Sequence, residues 1–229
     1  MGSSRLRQFR TTRERTVRLL QQVSEADFDR RPGSGGWSAG ELADHLIKAN
    51  RLYVGEINKL VELKRAGKPP RIAVRVADMD FTVPFVPRML LPFFDLPVAM
   101  FNYFVPNGVR EFILSRPLVP VQAPPMLKPD AQRGRPVLLA ELDEELRRTE
   151  RLFTDNAKID FRTLKYYHPI FGFNDVDDIL GLLSSHEERH QKQLQALLAA
   201  NRTTIGSVAE RSRGQATGPR ACETQVTSR

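Results

Sequence analysis

Thirteen of the sixteen prolines in this 229-residue chain fall between residues 69 and 136. Proline cannot donate to a helix, and its ring clashes with the preceding turn. Prolines at this density therefore forbid long helices across the segment, and regular structure must be sought on either side of it. The segment is too apolar for a disordered linker. It reads as a long ordered insertion packed on one end or side of the main fold, with short helices expected around Val86–Leu91, Val98–Phe104 and Val109–Ser115. An insertion of this length serves either as a lid over a functional site or as a cover that completes the core, and both roles stay open.

Outside the insertion, apolar residues recur at helical spacing in four stretches. Leu6, Phe9, Thr16, Leu20 and Val23 mark a first helix over residues 5–25, with arginines on its opposite face. The second is announced by Ser38 and Glu41, an S-x-x-E capping box with Trp37 just before the cap. Its stripe of Leu42, His45, Leu46, Ala49 and Tyr53 continues to about Arg65, where Gly67 and Pro69-Pro70 stop it. Leu138, Leu142, Leu146, Thr149 and Leu152 predict a third helix over 137–155. The fourth opens at Asn174 with Asp175 and Asp177, and carries Ile179, Leu182, Leu183, His186, His190, Leu194 and Leu197. From Asn201 the apolar period is lost, and residues 201–229 read as a basic disordered tail. Four amphipathic helices with one long connection predict an all-α four-helix bundle over residues 1–200, with residues 69–136 inserted between helices two and three. No long alternating run supports a central sheet.

Composition narrows the function. The net charge of +8 is concentrated at the ends: residues 1–31 hold eight Arg against four acids, and residues 201–229 hold five Arg against two Glu. A solvated helix face and a basic tail account for this. No zinc finger, RNA-binding aromatic motif or recognition-helix pattern points to nucleic acid, and none is expected as a partner. The most apolar stretch, FVPRMLLPFFDLPVAMFNYFV, contains Arg88, Asp95 and three prolines, so no membrane span is expected. The N-terminal residues are polar and Arg-rich, unlike a signal peptide. Cys222, the one cysteine, has no internal disulfide partner, and a cytoplasmic location is expected.

Three of the four histidines lie on apolar stripes, where a buried imidazole costs free energy unless its nitrogens find partners. His186 and His190 are i and i+4, so both project from one helix face and can share one ion. His45, on the second helix, would supply a third ligand. Three neutral imidazoles with an open position are the pattern of a reactive metal site. Imidazole suits Zn, Ni, Cu and Fe, with a divalent ion such as Zn or Ni expected here. His186-Glu187-Glu188-Arg189-His190 also matches the H-E-x-x-H metalloprotease signature, with Glu187 in the general-base position. That signature expects a further ligand, often downstream. After His190 there is no histidine, and the only acids are Glu210 and Glu223. The protease reading is therefore set aside. Glu187 is either an exposed charge, a base, or a partner that orients a histidine ring.

The segment GGWSAGELADHL resembles the start of helix two in the DinB-like superfamily, which includes the YfiT-like metal-dependent hydrolases. HPIFGFNDVDDILGLLSSHEERHQKQL resembles the family's second hallmark, an HP-x-x-G loop followed by a helix with H-x-x-R-H-type ligands and a Gln soon after. The resemblance implies an up-down-down-up four-helix bundle whose metal is held by His45, His186 and His190. His168 falls on the loop position, which implies a structural role, with a place on the substrate side as the alternative. Family members with assigned roles include enzymes that use small-molecule thiols such as mycothiol or bacillithiol. The resemblance thus implies a metal-dependent enzyme that transfers a small-molecule thiol or hydrolyses a small substrate. A homodimer is compatible with it. The competing reading is a non-enzymatic bundle acting in stress response by binding a metal or a partner.

Overall fold

The structure, a computed structural model, describes residues 4–33, 35–74, 125–130, 133–168 and 172–216, the side chains of Phe173 and of residues 201–216 aside. The short helices expected between Val86 and Ser115 lie outside these residues. The described chain is mostly helical, with α1 at Ser4–Gln22, α2 at Glu25–Phe28, α3 at Ala39–Arg65, α4 at Arg135–Thr154 and α5 at Val176–Ala216.

Local chemistry sets the helix ends. The Ser38–Glu41 box forms as expected: Ser38 Oγ accepts from the Glu41 amide at 3.1 Å, and the Glu41 carboxylate accepts from the Ser38 amide at 2.8 Å. At the other end of α3, Gly67 adopts φ +66. Its amide donates to the Lys64 carbonyl and that of Lys68 to the Leu63 carbonyl, a turn that glycine enters without a Cβ penalty. The start of α5 differs from expectation. Its box is built by Asp175 and Asp178, each carboxylate accepting from the other's amide at 3.0 Å. Asn174 instead donates to the Gly172 carbonyl. The helix also runs to Ala216, past the boundary expected at Asn201. Loss of an apolar stripe removes a packing face, but it does not remove the backbone's capacity to stay helical.

The connection between α4 and α5 contains strands that no alternating run announced. β1 at Arg71–Ala73 pairs in parallel with β2 at Lys165–His168, which pairs antiparallel with β3 at Gly172–Asn174. Tyr166 and His168 on β2 point inward, and their rings lie 6.4 Å from that of Tyr53 on α3.

Buried side chains form two apolar clusters. One holds Leu6 and Phe9 of α1, Ile57, Leu60 and Val61 of α3, Leu146 of α4, and Ile179, Leu180 and Leu183 of α5. The other holds Leu20, then Leu42, Leu46 and Ile47, then Leu138 and Leu142, and finally Leu194. α1 and α5 pass these clusters in one order, α3 and α4 in the reverse order. Between the clusters lies a buried polar layer that includes Thr12, Arg13, Thr16, Asn50, Glu187, His190 and Gln191. Its central bond is Arg13 Nε to Glu187 Oε1 at 2.8 Å, with both side chains at 2% exposure or less. Arg13 also donates to the Leu142 carbonyl, and Gln191 to the Thr12 carbonyl and to Thr16 Oγ1. This layer ties α1 to α4 and α5.

Removing one member of a buried ion pair strands the other, at a cost of about 3–5 kcal/mol. Glu187→Ala should lower unfolding stability by about that amount. The double substitution Arg13→Met with Glu187→Leu should recover most of it, as read by urea denaturation.

Candidate metal centre

α3 and α5 bring His45, His186 and His190 together, and their ligand nitrogens all lie within 4.8 Å of one another. His186 Nε2 stands 3.2 Å from His45 Nε2 and 3.1 Å from His190 Nε2. Tetrahedral nitrogen ligands about 2.0–2.1 Å from an ion stand about 3.3 Å apart, so these two spacings are those of neighbouring ligands on one ion.

The outer nitrogens decide what these inner ones offer. His45 Nδ1 donates to the Leu127 carbonyl at 2.7 Å, and His190 Nδ1 donates to Gln193 Oε1 at 2.7 Å. A neutral ring carries one proton, so both Nε2 atoms present lone pairs. His186 Nε2 can donate to only one of them. Without a cation, a single His186 Nε2–H must serve two acceptors, and with that proton on Nδ1 all three inner nitrogens present lone pairs. The donor set therefore fits a divalent ion, and the Leu127 and Gln193 contacts orient the ligands as outer partners of metal-bound histidine do.

Electrostatics keep the group neutral. Burial lowers His190 to about 4, assisted by the neighbouring His45. Burial also lowers His186, with His190, His45 and Arg189 adding to the effect. His45 is lowered by burial against the opposing pull of Leu127 and Asp44. The Trp37 ring packs 4.7 Å from His45 and 6.2 Å from His190, centre to centre, and walls one side. His186 is the partly exposed ligand of the three.

Glu187 and His168 fall elsewhere. Both Glu187 oxygens accept from Arg13 Nε. One helical residue is a turn of about 100°, so a glutamate beside His186 faces the next helix while His190 returns to the same face. His168 sits on β2 among Tyr53 and Tyr166, apart from the three-histidine group. Sequence reasoning missed Asp44, Leu127, Gln193 and the wall formed by Trp37. Gln193 had a usable signal, since it lies three residues after His190 on one helix. The Leu127 carbonyl had none.

Fold and site together define a helical protein with a preformed three-histidine pocket that could hold a metal ion. The chain belongs to the DinB superfamily, whose family model matches residues 8–194. No curated protein and no solved structure matches the chain. Among the described residues, no helix is long and apolar enough to cross a membrane.

His168 gives a pH signature. Burial pushes its imidazole from 6.5 down to about 4. The unfolded chain therefore takes up this proton first as the pH falls. Its contribution to stability is intact above pH 6.5 and is lost between 6.5 and about 4. Between pH 7.5 and 5 that loss is about 2 kcal/mol. His168→Phe should remove that part of the pH dependence in urea unfolding curves. An unchanged slope would contradict the assignment.

Proposed function

We propose that this protein is a metal-dependent enzyme of the DinB type, with His45, His186 and His190 as the ligands of one divalent ion, Zn or Ni. The observation that carries this reading is the convergence of three ring nitrogens, two of them held as lone-pair donors by Leu127 and Gln193. When bound, such an ion supplies Lewis acidity, which lowers the pKa of a thiol or water at its open position. Transfer of a small-molecule thiol to an electrophile is the favoured reaction, ahead of hydrolysis of a small substrate.

The chain's own residues do the remaining work. Trp37 closes one side of the group, and the partial exposure of His186 leaves a side for substrate. The buried Glu187–Arg13 pair holds α5 against α1 and takes no proton from substrate. The order in which α1, α3, α4 and α5 pass the two apolar clusters supports an up-down-down-up four-helix bundle over residues 1–200 with residues 69–136 inserted. A homodimer and a cytoplasmic location belong to the same proposal.

Metal analysis of the purified full chain should find about one divalent ion per chain. Conjugation of a low-molecular-weight thiol to a chromogenic electrophile should fall to background on chelation and return with added ion. His190→Ala should abolish both binding and turnover while Arg147→Ala leaves them intact. Metal binding without thiol or hydrolytic turnover would favour the non-enzymatic reading.

A further inference from the structure

Residues 125–130 and Arg133, from the C-terminal end of the proline-rich segment, lie along α3 beside His45. Hydrogen bonds and ion pairs hold them there. The Leu127 carbonyl accepts from His45 Nδ1 at 2.7 Å, and the Lys128 carbonyl accepts from Lys48 Nζ at 2.6 Å. The Asp130 amide donates to Asp44 Oδ2 at 2.7 Å, and Arg133 Nη1 donates to Asp44 Oδ1 at 2.8 Å. Lys48 Nζ reaches both Asp44 and Asp130, and Arg133 also pairs with Glu141 of α4.

Asp44 is 2% exposed and precedes His45 in the chain. Its oxygens are met by the Asp130 amide, the Arg133 guanidinium and the Lys48 ammonium. A buried carboxylate is costly unless it is fully partnered. Here its partners are this strap and the lysine one turn along α3 that also grips the strap.

We propose that the strap formed by residues 125–130 with Arg133 is a positioning element of the metal centre, and that Asp44, Lys48 and Arg133 are positioning residues for His45. By fixing the Leu127 carbonyl they hold the His45 ring with Nε2 toward His186 and His190. The inference rests on the three-histidine reading above. An ion on Nε2 draws charge from the ring and makes Nδ1–H a better donor to Leu127. Ion binding and strap docking therefore stabilise each other, and by linkage the coupling is equal in both directions. A strap that merely covered α3 would leave ion affinity unchanged when its charged anchors were removed.

The test titrates zinc(II) into the full chain against a competing chelator. The variants are Arg133→Ala and Lys48→Met, which reach the strap by different contacts, with Arg147→Ala as control. Arg147 pairs with Asp143 and Glu144 on α4. Zinc affinity should fall about 10-fold or more in the two strap variants, the scale of lost outer partners, and hold in the control. Helical circular dichroism should be retained in all three. In the wild type, zinc should slow hydrogen exchange at the Asp130 amide, and His45→Ala should abolish that slowing. Equal zinc affinity in wild type and both strap variants would overturn the strap while leaving the metal reading standing. A wild-type chain that binds no zinc would overturn the metal reading, and the strap with it.

Discussion

Three imidazole nitrogens directed at one point are an unfavourable arrangement unless something positive sits between them. Protons do not fill that role here, because burial and mutual proximity hold the imidazoles below their ordinary range, His190 at about 4. Tautomerism resolves it only in part, since Leu127 and Gln193 take the outer protons of two rings and one His186 N–H is left to serve both inner nitrogens. The three histidines therefore form a group that could hold a metal ion, and the surrounding packing keeps it in place.

The fold does this by dividing its core. Apolar clusters at two levels carry the packing, and a polar layer between them includes the buried cross-links of four helices. Within one turn of α5, His186 and His190 face the metal group while Glu187 reaches Arg13 on α1. The H-E-x-x-H spelling therefore serves two purposes on two faces. A helix with period 3.6 separates them without any change in backbone. The strap and α3 repeat the division: Asp44 grips the strap, while His45 touches both the strap and the other ligands.

What was legible in the sequence follows from what side-chain identity determines. The capping box at Ser38 and the glycine stop at Gly67 could be read to the residue, because each needs a particular side chain at a particular step. The His186–His190 pair was legible because i,i+4 spacing fixes a common face, whereas His45, on another helix, joined it only through the resemblance of its segment to the family. The cap of α5 was misplaced by one residue: Asn, Asp and Asp in succession offer several caps, and only the Asp175–Asp178 spacing closes a reciprocal box. The strands are only three or four residues long, too short for alternation to register. The Leu127 contact was illegible for a deeper reason. It is made by a backbone carbonyl 82 positions from His45, and every residue has a carbonyl.

The central claim is that one divalent ion is held by three imidazoles, from His45, His186 and His190. X-ray absorption at the zinc edge of the loaded full chain tests it most directly. The account predicts a low-coordinate shell with three imidazole nitrogens at about 2.0–2.1 Å, reduced to two in His45→Ala. A shell of oxygens only, or one that the His45→Ala substitution leaves unchanged, would contradict it.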